Sequence, residues 1–236
     1  MKIKGSVALV TGANRGLGLA FARALLAAGA SKVYAGARDP SSVPALPGLV
    51  PVRLDVTNNE QVAAAARDCA DVTLLVNNAG IAQGGPFLSP QGVEAARSQL
   101  DTNFFGTLAM ARAFAPVLKA NGGGAMVNML SILSWISMPA ASAYSASKAA
   151  AWSLTNGLRN ELRAQGTQVV GVHAAFIDTD MAKNIQAPKT SPEEVAAQTV
   201  RAIEEGREEV LADALTRQVK SALSAEAGVY LQEAGR

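Results

Sequence analysis

Thr11-Gly12-Ala13-Asn14-Arg15-Gly16-Leu17-Gly18 stands between an apolar run, Ser6–Val10, and a stretch of helical periodicity, Leu17–Ala28, that Gly29 ends. A strand, a glycine-rich turn and a helix in direct succession make the first half of a β-α-β unit. The three glycines permit positive φ and close approach of the backbone. The turn therefore offers main-chain N–H groups at the positive end of a helix, a natural seat for a pyrophosphate. Its spacing, Gly-x3-Gly-x-Gly, differs from the Gly-x-Gly-x2-Gly fingerprint, so the turn alone leaves the ligand open.

The alternation continues outward from this turn. Strands are expected at Lys32–Ala37, Leu49–Asp55, Val72–Asn77, Ala125–Leu130, Val169–Ala174 and Glu209–Ala212. Helices are expected at Asn58–Cys69, with Asn58 as cap, at Tyr144–Ala164 and at Ser191–Glu205, which opens on Ser-Pro-Glu-Glu. A further helix, bent along its length, is expected from a cap at Ser89 and Pro90 through Thr102 to Lys119, where Gly122, Gly123 and Gly124 break the pattern. Ala214–Ala234 also reads as helix. Such alternation predicts an α/β fold, a doubly wound parallel sheet of about seven strands with helices on both faces. Without a linker, repeat or low-complexity segment, 1–236 is expected to be a single domain.

Composition narrows the function. The 236 residues are 49% hydrophobic but only 5% aromatic, with 21 Gly, so the core is built from small and aliphatic side chains. A net charge of +2 with no run of like charges argues against nucleic acid. No apolar run approaches the roughly 18 residues of a membrane span, and no signal-peptide pattern opens the chain. The lone Cys69 forms no internal disulfide and, with the lone His173, no metal site. A reducing cytoplasm is the expected home, with no metal, nucleic acid or membrane as partner.

Beyond the glycine turn, Asp55 in Leu-Asp-Val-Thr, Asn77-Asn78-Ala79-Gly80 after strand four, Asn103, Ser131 and Tyr144-x3-Lys148 follow in order. In this order and spacing, over nearly the whole chain, the sequence resembles the short-chain dehydrogenase/reductase family, in its shorter branch. The resemblance implies a Rossmann-type fold and a bound nicotinamide dinucleotide. Implied cofactor contacts are Gly12, Asn14, Arg15, Gly16, Leu17, Gly18, Arg38, Asp55, Val56, Asn78, Ala79, Gly80, Tyr144, Lys148, Ile177 and Thr179, with Asp55 at the adenine and Thr179 at the carboxamide.

Charge bears on which dinucleotide. A carboxylate at the end of strand two would take the ribose 2′-hydroxyl of NAD and repel a 2′-phosphate. Ala37 fills that place, Arg38 follows and Arg15 projects from the turn, so NADPH is expected over NADH. Asp39 is the residue that would restore NAD binding.

Tyr144 and Lys148 lie one helical turn apart, so both reach the same bound molecule. An ordinary Tyr titrates near pH 10, and a neighbouring ammonium together with an oxidised nicotinamide would lower that value. Tyr-x3-Lys also arises by chance on helices, with Tyr in the core and Lys in solvent. Ser131, just after strand five, is by resemblance the residue that hydrogen-bonds the substrate oxygen, with Ser134 the weaker stand-in. Asn103 resembles the residue that holds a water linking Lys148 to solvent. The resulting expectation is hydride transfer between NADPH and a ketone or secondary alcohol, with Tyr144 as proton donor or acceptor. Two alternatives stay open: an NADP-binding sensor or scaffold without turnover, and a sugar-nucleotide epimerase.

The chain departs from the family in three places. Ala174-Ala175 replaces Pro-Gly after strand six, which removes a rigid turn near Ile177 and Thr179. The segment Met181–Lys189, the family's lid, is short, and the Gly-rich ending after the seventh strand is missing. Leu133, Trp135, Ile136, Met138, Phe87 and Phe176 are expected around the open cleft, which suits a hydrophobic ketone or alcohol. His173 is expected to pack in the sheet. The Ala-rich helix at Tyr144–Ala164 is the candidate face for a homodimer or homotetramer.

Overall fold

A computed structural model describes residues 1–231. Its sheet has seven parallel strands: β1 Val7–Thr11, β2 Lys32–Ala37, β3 Leu49–Arg53, β4 Leu74–Asn77, β5 Ala125–Met129, β6 Gln168–His173 and β7 Glu209–Leu211, in the spatial order β3-β2-β1-β4-β5-β6-β7. Every neighbouring pair is parallel, so each connection crosses over one face of the sheet. The helices doing so are α1 Gly16–Ala27, α2 Asn59–Asp68, α3 Gly92–Leu100, α4 Thr107–Ala120, α5 Ser142–Leu162 and α6 Pro192–Glu204; α7, Ala214–Ser221, follows β7.

Strand periodicity sorts the core into two layers. Ala8 and Val10 of β1, Leu74 and Val76 of β4, and Ala125 and Val127 of β5 face α1 and α6, where Phe21, Leu25 and Ile203 fill the space. Leu9, Leu75 and Met126, the residues between them, face Val62, Met110, Phe114, Leu118, Leu158 and Leu162 on the other side. Because central strands are covered on both faces, they read as unbroken apolar runs, and that is why their positions show in the sequence.

Strand order reverses at β1, which pairs with β2 on one side and β4 on the other. The connections from the two halves leave in opposite directions there and open a crevice at the carboxyl ends of β1 and β4. The glycine turn after β1 and Asn78-Ala79-Gly80 after β4 line that crevice.

Two expectations are corrected. The helix expected from Ser89 and Pro90 begins at Gly92, because Ser89 and Pro90 belong to a turn in which Gly92 N–H donates to the Ser89 carbonyl. Its expected bend is a π-helical segment, Asp101–Gly106, between α3 and α4. The expected helix Ala214–Ala234 stops at Ser221; turns follow, and Val229–Leu231 form a single 3₁₀ turn. The alanines after Ser221 favour a helix, but residues 224–227 are exposed, so no buried face sustains one there. Residues 232–234 of that expectation lie outside the described residues. No helix among the described residues is long and apolar enough to cross a membrane.

Candidate active site

Thr11, the last residue of β1, ties the crevice together. Its hydroxyl accepts the backbone N–H groups of Asn78 (3.0 Å) and Ala79 (2.9 Å), and Asn78 Nδ2 donates back to the Thr11 carbonyl at 2.9 Å. Gly12 and Gly16 adopt φ of 66° and 52°. At Gly18 the reason for glycine is space: a Cβ there would lie 2.1 Å from the Gly12 carbonyl oxygen and 2.7 Å from Asn78 Nδ2. Leu17 is buried in the core, so only its backbone is available at the turn.

No side chain caps α1 and no acidic residue sits in its first turn, whereas Asn58, Ser191 and Asp213 cap α2, α6 and α7. The N–H groups at the start of α1 thus keep their partial positive charge for an anion. A dinucleotide pyrophosphate fits this backbone cradle.

Around the turn, Asn14 Nδ2 donates to Ser42 Oγ at 3.1 Å, and Arg15 pairs with Asp180 at 2.6 Å, both largely exposed. Arg38 is exposed at the end of β2. The Asp39 carboxylate caps the 3₁₀ turn Pro40–Ser42, accepting from the hydroxyl and N–H of Ser41, which hold it below the ordinary carboxylate range. Partial burial pushes the Asp55 carboxyl up, but hydrogen bonds from Thr57, with the Arg38 charge beyond, bring it below its usual value. Val56 turns its side chain into the core, against Gly106, leaving only its backbone toward a nucleotide.

Helix α5 carries a face that changes character along its length. Tyr144, Lys148, Ala151 and Thr155 follow at helical spacing nearest the carboxyl ends of the strands, and Leu158 and Leu162 continue into the apolar layer. Lys148 is buried, its Nζ 2.8 Å from the Met129 carbonyl and 5.7 Å from the Tyr144 ring centre. Loss of hydration pulls its ammonium down to about 8. Burial pushes the Tyr144 hydroxyl up to about 12, with the neighbouring Ser131 side chain acting the other way. Among the chain's own residues, then, Tyr144 moves opposite to the lowering expected from sequence, because desolvation outweighs its neighbours.

Ser131 follows β5 and opens a 3₁₀ turn, Ile132–Ser134. Its hydroxyl accepts from Leu133 N–H at 3.1 Å, and its own N–H donates to Ser134 Oγ at 3.2 Å. Ser134 is thus occupied as a cap. Asn103 lies in the π-helical segment and is fully buried. Its side chain accepts from Ile81 N–H, donates to the Ile81 carbonyl, and donates to Ser147 Oγ at 2.8 Å. Its Oδ1 is 3.1 Å, and Lys148 Nζ 3.7 Å, from where a Cβ on Gly80 would be. Gly80, Asn103 and Lys148 therefore converge.

Thr179 lies against the glycine turn, its methyl 3.4 Å from where a Gly16 Cβ would stand. Ile177 forms a bridge with Thr190 that closes the base of the intervening segment. The Ala174-Ala175 turn needs no left-handed residue: the Ala174 carbonyl accepts from Ile132 N–H, and Ala175 N–H donates to Asp213 Oδ2 at 2.8 Å. The apolar residues expected round the cleft divide. Leu133 packs with Ile132 and Val219 beside Tyr144, and Trp135 stacks on His173, while Phe87 and Met138 remain exposed and Phe176 half-buried.

Sequence reasoning passed over the Thr11 clamp, the Ser147 support of Asn103 and the Asp180 partner of Arg15. Thr11 had a signal, a hydroxyl at the last position of the first strand. Asp180 and Ser147 had none, since their partners are remote in sequence.

Comparison with known proteins matches this geometry. Residues 6–190 fit the sequence model of the short chain dehydrogenases, from β1 to the Ile177–Thr190 bridge. Dehydrogenase/reductase SDR family member 7B of Xenopus laevis is 31% identical over 89% of this chain and 74% of its own length. A short chain dehydrogenase from Burkholderia cenocepacia J2315, solved in complex with NADP, is 44% identical, covering 98% of this chain and all of that one with a TM-score of 0.93. A short chain dehydrogenase/reductase from Burkholderia phymatum, solved with NAD, shares the fold at 24% identity and a TM-score of 0.86 over 100% of this chain and 99% of its own. With a seven-stranded parallel sheet, the glycine turn at its switch point and a family match from the first strand to Thr190, the chain belongs to the short chain dehydrogenases, a family of oxidoreductases.

Proposed function

We propose that the chain is an NADPH-dependent carbonyl reductase, equally an alcohol dehydrogenase, acting on a hydrophobic ketone or secondary alcohol. One observation carries it: Tyr144 and Lys148 meet the end of β5, Lys148 Nζ bonded to the Met129 carbonyl and 5.7 Å from the Tyr144 ring, while Tyr144 packs against Ile132 and Leu133 beside Ser131 and is held protonated at pH 7. A neutral phenol can give a proton to a carbonyl oxygen that gains negative charge. Ser131 Oγ orients and stabilises that oxygen. Lys148, with an ammonium near neutrality, sits one turn behind Tyr144 and restores its proton or holds the ribose hydroxyls, with Asn103 fixing the loop beside it.

Bound NADPH supplies the hydride. For its binding we assign Gly12, Asn14, Arg15, Gly16, Leu17 and Gly18 to the pyrophosphate turn, and Asp55, Val56, Asn78, Ala79 and Gly80 to the adenosine side. Ile177 and Thr179 belong to the nicotinamide end. The 2′-phosphate goes to Arg15 and Arg38, and the local engagement of Asp39 with Ser41 supports that choice. The NADP complex of the 44% identical Burkholderia cenocepacia protein supports it as well.

The test is oxidation of NADPH and of NADH over a panel of ketones, aldehydes and quinones, with Tyr144→Phe alongside. Turnover with NADPH in the natural chain, none in Tyr144→Phe and unchanged NADPH binding in both is the expected result. Substantial reduction by Tyr144→Phe removes the proton-donor role.

A further inference from the structure

Beneath the site lies a buried group that the reaction as proposed does not use. His173 ends β6, is 1% exposed, and places Nδ1 3.1 Å from the Ser131 carbonyl oxygen. That carbonyl also takes Ser134 N–H at 3.0 Å, so the imidazole fills its second lone pair. Trp135 stacks on the imidazole with ring centres 4.0 Å apart and planes at 21°, and Trp152 meets Trp135 edge-on at 6.4 Å. Lys220 Nζ lies 4.8 Å from the Trp135 ring centre and donates to Glu209 Oε1 at 2.8 Å. The same Oε1 is 3.8 Å from His173 Nε2, beyond hydrogen-bond reach.

A carbonyl oxygen only accepts, so the contact requires the proton on Nδ1. Burial pulls the imidazole down to about 4, although the Ser131 carbonyl and Glu209 act the other way. The ring is therefore neutral at pH 7, and its single N–H proton belongs to the Ser131 contact. The rest of Ser131 is held locally: its N–H and hydroxyl bond within the turn Ile132–Ser134. Only His173 ties the residue's own carbonyl across to the neighbouring strand.

The geometry points to His173 as a positioning residue that, as the Nδ1–H tautomer, donates to the Ser131 carbonyl and thereby holds the Ser131 hydroxyl against Tyr144. Its catalytic consequence rests on the carbonyl-reductase reading above; the tautomer does not. Loss of the bond leaves the peptide after Ser131 held only by Ser134 N–H at its carbonyl and by Ile132 N–H to the Ala174 carbonyl, and the hydroxyl then meets the substrate oxygen less in line. Ground-state binding of NADPH is untouched, so the loss falls on kcat.

The chain has one histidine, so a ¹⁵N-histidine spectrum assigns the tautomer without ambiguity. At pH 7 the Nδ1–H form is expected; an Nε2–H form or an imidazolium overturns the inference. The second measurement compares His173→Asn, whose amide nitrogen can reach the Nδ1 position, with His173→Gln, whose amide reaches toward Nε2. With the best carbonyl substrate of the panel, His173→Gln is expected to lower kcat about tenfold, the equivalent of one lost hydrogen bond, with KM for NADPH unchanged. His173→Asn should recover most of that loss. In a Ser131→Ala background the Gln substitution should cost nothing further. Equal losses in the two variants, or the same loss in the Ser131→Ala background, reduce His173 to packing and overturn the inference. If the natural chain reduces no panel compound, the proposed function falls, and the tautomer alone decides this inference.

Discussion

Replacing Lys148 with methionine should stabilise the protein near neutrality and lose that advantage as pH rises. The side chain is buried, and its ammonium titrates near 8 where an unfolded lysine titrates near 10.5. At about 1.4 kcal/mol for each tenfold difference in proton affinity, this gap costs the folded chain about 3 kcal/mol wherever both states are protonated. Between those two pH values the unfolded chain holds the proton and the folded chain does not, so the natural protein gains stability as pH rises through them. At pH 10 less than about 1 kcal/mol of the penalty remains. Methionine carries no charge and nearly the same shape. It loses the bond from Nζ to the Met129 carbonyl, a cost of about 1 kcal/mol that varies little with pH because the ammonium and the neutral amine both donate it. Urea unfolding of both chains at pH 7 and pH 10 is the assay. The variant's advantage should shrink by about 2.5 kcal/mol between them, since every other titrating group is shared and cancels. A difference that stays constant with pH would refute the account of Lys148 as a buried, desolvated ammonium.

Gly18→Ala should destabilise the fold by about 1–3 kcal/mol and abolish NADPH binding, because its Cβ would meet the Gly12 backbone, which no side-chain rotation relieves; thermal melts and nucleotide fluorescence measure both. Arg15→Ala with Arg38→Ala should weaken NADPH at least about tenfold while NADH changes little, read by fluorescence titration. Unchanged NADPH affinity would return the dinucleotide choice to NAD. Asn128→Ala should cost about 2 kcal/mol in urea unfolding. It severs a buried chain in which Asn77 Nδ2 donates to Asn128 Oδ1 and Asn128 Nδ2 donates to Thr155 Oγ1, tying β4, β5 and α5 together.

Much of the site was legible because short-range physics dictates it. The turn from Gly12 to Gly18 announces itself by residues that only a close-packed strand-to-helix turn requires. Tyr144 and Lys148 share a face because a helix repeats every turn. By contrast, the helical pattern beyond Ser221 is only local, and the tertiary context supplies no apolar partner to carry it past one short amphipathic segment. Trp135 was expected at the cleft because it is large and apolar and close in sequence to Ser131. Its ring instead packs against His173, a residue on another strand.

Periodicity and glycine spacing by themselves determined the alternating strands and helices and the strand, glycine turn and helix at Thr11–Gly18, since each depends on residues near one another in the chain; the grouping of Ser131 with Tyr144 and Lys148 came from the order of motifs that resembles the family. Only the tertiary structure decided how these groups titrate and what holds them. Desolvation at Tyr144 and Lys148, the His173 bond to Ser131 and the Arg15–Asp180 pair all arise between elements that the strand order brings together. Burial and partner choice are properties of the packed sheet, and no local pattern encodes them.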